Sequence, residues 1–357
     1  MTQGQPPKTT VVLMPFSEIY VWNSKYGSYS ELLNKNTTIK VGLLNFIFGG
    51  KVYTKYPDGS VNRDVFTVKI DDNLIGFRHI KENSAIEKIL RKEKNIMVTS
   101  EMELTSLKYY EVQELISNLL WLLTYSQKTL ISRYYTKVFL EDEEQLLILH
   151  NDMKYSYSNS SLIDVTHLRD DDIEQFIQDT YNNFSTKKKE LKLDNIIDII
   201  CQAELARVLE SKYLLLSSAL ELCVEMIIHS NNLTVEEDKD VIENMTKSIM
   251  NYLKQNSISI DDKHIEKICS KLTFKTLKKK IHTVLQHLKF EHSQTDVKRI
   301  KDNRNKIVHE VRFVDYNQPL QDYELIRILV DKILLKILGY SGKVINYTNK
   351  YNIEKIL

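Results

Sequence analysis

From residue 196 onward the chain is committed to helix. Apolar residues recur at the spacing of a helical face in 196–209, 214–227, 241–253, 265–272, 277–288, 297–311 and 322–338. Such closely spaced one-sided segments leave room only for short connections, so their apolar stripes must bury against one another as a bundle. The last segment is apolar nearly all round: Ile326, Leu329, Val330, Ile333, Leu334, Ile337 and Leu338. A helix of that kind belongs in a bundle core or a subunit interface. Gly339 follows where a glycine would terminate it.

Before about residue 185 the pattern differs. Residues 37–48 and 51–56 read as a hairpin around Gly49-Gly50, and Pro57-Asp58-Gly59 as a second turn. "VFTVKI" (65–70) alternates with period two, Asp71-Asp72-Asn73 turns, and "LIGFRHI" (74–80) continues. Residues 131–140 and 145–150 pair around the acidic turn "EDEE". Helical patterns interrupt at 84–93, 109–128 and 171–183, and "STKKKELKLDN" (185–195) reads as a linker or helix entry. The expectation is an α+β domain over 1–185, an all-α domain over 190–342 and a tail over 343–357. The aromatics of the first half, Trp22, Tyr110 and Trp121 among them, serve either as β-domain core or as a sensing or recognition surface.

Bulk properties narrow the function classes. The formal net charge is +1, so any attraction to nucleic acid must come from local clustering. Cys201, Cys223 and Cys269 are an odd, unpatterned set, which argues against a disulfide framework or a zinc site and fits a reducing cytoplasm. The opening MTQGQPPKTT has no apolar run, and no run of about 18 apolar residues follows. Neither a signal peptide nor a membrane span is expected, and the expected location is cytoplasmic.

One helical segment breaks its own rule. On a wheel of 297–311, Val297, Ile300, Ile307, Val308 and Val311 fall on one stripe, and Arg304 falls in the middle of it. An unpaired buried guanidinium costs several kcal/mol. Arg304 therefore has a buried acidic partner, or lines a cleft, or faces another subunit. Glu221 and Glu225 on the preceding helical pair are the candidate partners, and either would equally support an active site. His309 lies about 140° round the helix from Arg304, with Asn305 between them in angle. One straight helix cannot aim both side chains at one point, so joint action needs a bent helix or a second copy of the chain.

The Arg-x4-His spacing by itself carries no information, since ten arginines and nine histidines produce about one such match by chance. Its weight comes from Asn305 directly after the arginine, from the aliphatics inside the motif, and from charge. Between Lys271 and Lys306 eleven Lys and Arg stand against three Asp and Glu. The dense parts are Lys278-Lys279-Lys280 and Lys298-Arg299-x-Lys301, with Lys306 beyond them. This is either a solvated lysine face or a footprint for a phosphate backbone.

"NRNKIVHE" (303–310) resembles the signature of the HEPN superfamily: an arginine, a polar residue, several more residues, then histidine. The order of helices is similar too. A long helical pair with "SSALELCVEMI" comes first, then variable helices, the motif helix and a closing helix. The tail "ILLKILGYSG" looks like the end of Apea-like HEPN proteins, which carry an α+β domain ahead of the bundle. The fold expected is thus an α+β N-terminal domain followed by an all-α HEPN helical bundle. The resemblance implies a metal-independent endoribonuclease with no cofactor, of the toxin or antiphage-defence type, acting on RNA as a homodimer. His309 would move protons, Arg304 would hold a nonbridging phosphate oxygen, and Asn305 would orient the histidine or bond the phosphate. Lys278, Lys279, Lys280, Lys298, Arg299, Lys301 and Lys306 would contact RNA, with Glu221 and Glu225 in support. A non-catalytic RNA- or protein-binding module is the first alternative. A toxin held inactive by a separate antitoxin is the second, and a phage-derived trigger would act through the first domain.

Other chemistries lack their residues. The chain has no Walker-type phosphate loop, no HExxH, no paired CxxC and no GxSxG. His79, His150 and His167 have no convergent metal-ligand spacing. "DDDIE" (170–174) reads as the start of a helix, where acids complement the dipole.

Overall fold

A computed structural model describes residues 9–13, 18–23, 29–50, 52–55, 59, 61–80, 90, 97–141, 143–150, 161–163, 172–235, 239–258, 260–269, 276–315, 317–346 and 352–355. The chain divides into two compact units. The first comprises Met1–Lys188, Leu193–Ala206 and Leu335–Leu357, and the second Lys189–Lys192 and Arg207–Leu334.

The first unit is built on a nine-stranded antiparallel sheet. Its strands are β1 (Thr9–Leu13), β2 (Glu18–Asn23), β3 (Thr37–Leu44), β4 (Val52–Lys55), β5 (Val61–Ile70), β6 (Asn73–His79), β7 (Val98–Leu107), β8 (Arg133–Leu140) and β9 (Glu143–His150). Their order is β1-β2-β9-β8-β3-β7-β6-β5-β4. Alternation in β3, β6 and β8 puts Ile39, Val41, Ile75, Phe77 and Val138 on buried faces, as a half-buried pleat requires. The two short hairpins run as the turn residues dictate. Ile70 pairs with Asn73 across Asp71-Asp72, and Leu140 pairs with Glu143. Asp71 and Glu141 carry the positive φ these tight turns need.

The hairpin expected around Gly49-Gly50 is not formed. β4 pairs with β5, while β3 is a central strand between β7 and β8. Residues 45–50 run into the core, where Phe46 and Phe48 are fully buried and join Phe66 and Phe77 in a ring cluster. The backbone of that run is satisfied from outside it. Thr99 Oγ1 donates to the Phe46 carbonyl at 2.7 Å, and the Phe48 N–H donates to His79 Nε2 at 3.2 Å. Apolar gain from two buried phenylalanines, about 2 kcal/mol or more each, outweighs the turn propensity of the glycine pair. Gly50 is required for contact instead: a Cβ there would lie 2.4 Å from the Val65 nitrogen. Pro57 and Asp58, most of 84–93, Thr166 and His167 lie outside the described residues.

The described helices of this unit are α1 (Tyr29–Leu33), α2 (Gln113–Gln127), most of α3 (Asp172–Leu191) and α4 (Leu193–Leu205). α3 begins at the acidic run, but "STKKKELKLDN" is not a linker. It completes α3, breaks once at Lys192 with positive φ, and starts α4. Lysine and glutamate are good helix formers, so a charged stretch is as consistent with an exposed helix face as with a connection. A two-stranded ribbon, β10 (Lys343–Asn346) with β11 (Asn352–Lys355), follows the helices, so the C-terminal stretch is not all tail.

The second unit is helical: α5 (Leu209–Ser230), α6 (Lys239–Gln255), α7 (Asp262–Cys269), α8 (Leu277–His287), α9 (Gln294–Glu310) and most of α10 (Pro319–Leu338). α5, α8 and α9 pack on one another through Leu216, Leu220 and Val224, through Ile281 and Val284, and through Val297, Ile300 and Ile307. α5 is long and apolar enough to cross a membrane, with a mean hydropathy of 1.4 over a window that is 44% buried in this fold. Averaging reveals this window where a search for an unbroken apolar run does not. α6 packs against α7. The boundary between the units falls inside α10, between Leu334 and Leu335.

α10 ends as Gly339 predicts. The Tyr340 N–H donates to the Leu335 carbonyl at 3.0 Å, the Gly339 N–H donates to Lys336, and Gly339 has φ +76°. The freed carbonyls of Ile337 and Leu338 accept from Lys187 Nζ at 2.9 Å and Asn183 Nδ2 at 3.0 Å. A Cβ on Gly339 would sit 2.6 Å from that Asn183 nitrogen. Gly339→Ala is expected to destabilise the protein by about 1–2 kcal/mol. Urea unfolding measures it, and an unchanged midpoint contradicts this cap.

Candidate functional site

Helix α9 is set by its ends. Ser293 caps it, its hydroxyl accepting from the Thr295 and Asp296 N–H groups at 3.1 and 3.4 Å. Its C-cap is Val311, with φ 55° and ψ 35°. That left-handed conformation is strained for a β-branched residue, and it lies two positions after His309. Midway along, Tyr213 of α5 donates its hydroxyl to the Ile300 carbonyl at 3.1 Å and packs edge-on against Phe313. Burial, with Asp322 nearby, pushes the Tyr213 hydroxyl well above its ordinary pKa, so it remains a donor.

The buried face of α9 is narrower than its apolar pattern. Val297, Ile300, Asn303 and Ile307 form it. Val308 and Val311 do not share it: they are 48% and 74% exposed. Arg304 is accordingly on the flank of the buried face and not at its centre. Its side chain is 35% exposed, and its Nε donates to Glu221 Oε1 on α5 at 2.9 Å. One Nη1 hydrogen goes to Asn305 Oδ1 at 3.3 Å. Among the described residues the other Nη1 hydrogen and both on Nη2 have no partner. Glu225 does not join this pair; it binds Lys280 of α8.

His309 is exposed in the last turn and, among the described residues, has no hydrogen-bond or ion-pair partner. Asn305 touches the arginine rather than the histidine. At about 100° per residue, Lys298, Lys301, Asn305 and His309 share one exposed side of α9. Val308 lies between Arg304 and His309 in angle. One copy of the helix therefore presents Arg304 and His309 on different faces, divided by the exposed Val308.

The expected basic footprint is partly neutralised. Arg299 is held by Asp322, which is 1% exposed, and its Nη2 donates to Gln318 at 2.9 Å. Lys306 binds Glu310 at 3.0 Å, and Arg312 Nε donates to the other Glu310 oxygen at 2.7 Å. These partners hold the Glu310 carboxyl below its ordinary pKa. Lys301 is 3.8 Å from Asp302, whereas Lys298 is exposed and unpaired among the described residues. Lys278 and Lys279 stand in the first turn of α8 beside a cavity of about 270 Å³. A second cavity, also about 270 Å³, lies in the sheet unit beside Trp121, Ser132 and Arg133.

Sequence reasoning missed Asn303. It is 1% exposed, and its Oδ1 accepts the Val314 N–H at 2.8 Å, folding the chain after the strained cap back onto α9. The signal was available, because position 303 falls on the stripe of Val297, Ile300 and Ile307. It also missed Asp322, whose carboxyl burial raises in pKa against the lowering effects of Arg299 and Asn303. The cysteines are buried, and burial pushes the Cys223 thiol up to about 12. His79 and His150 are buried and hydrogen-bonded to Phe48 and Thr136. Among the described residues no three His, Cys, Asp or Glu converge as metal ligands.

No protein-family model matches the chain, and no curated protein or solved structure matches it. The site must be judged on its own geometry.

Asn303 and Glu221 separate the two kinds of support. Asn303→Ala is expected to cost about 1–3 kcal/mol, because it leaves the Val314 N–H without its acceptor. Glu221→Gln is expected to cost less than about 1 kcal/mol, since that pair is about one-third exposed. Denaturant unfolding of both variants checks the order, and the reverse order contradicts the assignment.

Proposed function

We propose that this chain is a metal-independent endoribonuclease of the HEPN type, working as a symmetric pair. The observation that carries the reading is the guanidinium of Arg304. Glu221 and Asn305 fix its Nε and one Nη1 hydrogen, and its outer edge stays open. A planar pair of N–H donors held at a fixed angle suits the nonbridging oxygens of a phosphate. His309, exposed and unpartnered on the next face, supplies the group for proton transfer.

Because Arg304 and His309 face about 140° apart, the full constellation requires a second α9. Val308, Val311 and Val314, at 48%, 74% and 55% exposure, offer the apolar surface that a second copy would cover. In the pair, one His309 takes the proton from a 2′-hydroxyl. The 2′-oxygen bonds to phosphorus, and the bond from phosphorus to the 5′-oxygen breaks. The other His309 protonates the departing 5′-oxygen. The products are a 2′,3′-cyclic phosphate and a 5′-hydroxyl. Charge on the phosphorane falls to Arg304. A toxin or antiphage role, with the sheet unit receiving a trigger or an antitoxin, accords with this reading.

A binding-only module is the second reading, favoured by one observation: the Arg304–Glu221 pair is also what a structural arginine would make. Cleavage separates the two. Mixed RNA incubated with the protein in EDTA is expected to yield cyclic-phosphate ends. His309→Ala and Arg304→Ala are each expected to slow this by about 10²–10⁴-fold. Continued cutting by both variants, or loss of cutting on chelation, overturns the proposal. Val308→Glu is expected to give a monomer by light scattering and to remove cleavage with it.

A further inference from the structure

Gln113, Ile116, Ser117, Leu120, Trp121 and Thr124 form one stripe of α2, and all six line the cavity of about 270 Å³ in the sheet unit. The facing wall is the segment Leu130–Arg133, which leads into β8. All these residues belong to the sheet unit. The volume is near the lower end of the range for ligand pockets, about 300–1,000 Å³. It suits a molecule of one or two rings.

The walls are fixed by the protein's own hydrogen bonds. Lys128, with φ 49°, turns the chain at the end of α2, and the Thr129 N–H donates to the Thr124 carbonyl at 3.3 Å. The Ile131 N–H donates to Thr124 Oγ1 at 3.1 Å, and the Ser132 carbonyl accepts the Leu44 N–H at 2.9 Å. The cavity is therefore preformed, and a ligand entering it need order little of the chain.

Its chemistry is divided. Ile116, Leu120, Leu130 and Ile131 give an aliphatic wall, and the half-buried indole of Trp121 joins them. Trp121 makes no hydrogen bond and no ring contact among the described residues. An indole in that state gains from a flat apolar partner beside its ring. Arg133 brings positive charge to the same space. Its Nη1 donates to Gln113 Oε1 at 2.6 Å, and Gln113 Nε2 donates in turn to the Tyr109 carbonyl at 2.8 Å, which orients the guanidinium. Lys188 adds a second positive charge, its Nζ lying 3.4 Å from Ser117 Oγ.

We propose that this cavity binds a small aromatic carboxylate, with its ring against Trp121 and the aliphatic wall and its carboxylate toward Arg133. The guanidinium recognises a carboxylate through charge and directed N–H donors together, and a partly enclosed site strengthens that attraction relative to open water. The ring supplies the apolar contact that the indole lacks. Both halves are needed: an aliphatic acid forgoes the ring contact, and a neutral aromatic forgoes the charge. The site lies wholly in the sheet unit, so the inference does not depend on the proposed RNA cleavage.

The test is calorimetric titration of the full chain with 2-naphthoate, its neutral amide and octanoate. The naphthoate is expected to bind with a Kd below about 1 mM, and the other two about tenfold more weakly. Arg133→Gln is expected to weaken the naphthoate about tenfold while leaving the amide unchanged, so the amide reports that the cavity is intact. Ser117→Phe, which fills the cavity from the helix side, is expected to remove binding of all three. A naphthoate Kd above about 1 mM overturns the proposal. So does an amide or octanoate bound as tightly as the naphthoate, or equal naphthoate affinity in wild type and Arg133→Gln. Binding that survives Ser117→Phe places the ligand elsewhere and overturns it too. If Arg133→Gln loses the amide as well, the wild-type ratio of acid to amide and the Ser117→Phe result decide the matter.

Discussion

Helix α9 carries two polar side chains at its packed surface, and each makes a hydrogen bond to another part of the second unit, although Asn303 Nδ2 lies buried without a partner. Asn303 lies fully inside, where an unmade hydrogen bond costs about 1–3 kcal/mol, and the chain after the helix returns to give it the Val314 N–H. Arg304 lies at the edge, where the cost is smaller, and α5 supplies Glu221. Tyr213, two turns before Glu221 on α5, fixes the same helix pair by binding the Ile300 carbonyl. The position of Arg304 relative to α5 therefore follows from two polar contacts laid over an apolar seam. The strain at Val311 is tolerated because Asn303 holds the segment that leaves it.

Charge in this unit is organised more by local pairing than by excess. The stretch from 271 to 306 is strongly basic in sequence. In the fold, Lys280, Arg299 and Lys306 are each matched to an acid that lies outside that stretch. What remains open is a smaller set. Arg304 keeps its outer edge, Lys298 and His309 share one side of α9, and Lys278 makes no ion pair among the described residues. The proposed function draws on Arg304 and His309 from this set.

Legibility varied with how local the deciding force was. The helices after 196 and the hairpins at Asp71-Asp72 and 140–143 could be read because periodicity and turn chemistry act within a few residues. The run 45–50 could not, because two phenylalanines found a cluster with Phe66 and Phe77, residues distant in sequence. Nor could the helical state of 185–191: polar helix formers look alike in a linker and on an exposed face. The β10–β11 ribbon was missed for a related reason, its short strands offering too few alternating positions to register.

For the candidate site, the sequence by itself determined which residues were available: an arginine and an asparagine in an apolar helical pattern, a histidine one turn on, and lysines nearby. It also determined that Arg304 and His309 face different ways, because the helical pitch sets that angle. Only the tertiary structure decided that Arg304 sits on the flank of the buried face, that Glu221 rather than Glu225 holds it, and that Val308 and Val311 are exposed. The physical reason is that burial and ion pairing depend on which surface of one helix meets another, and helices far apart in the chain make that choice together.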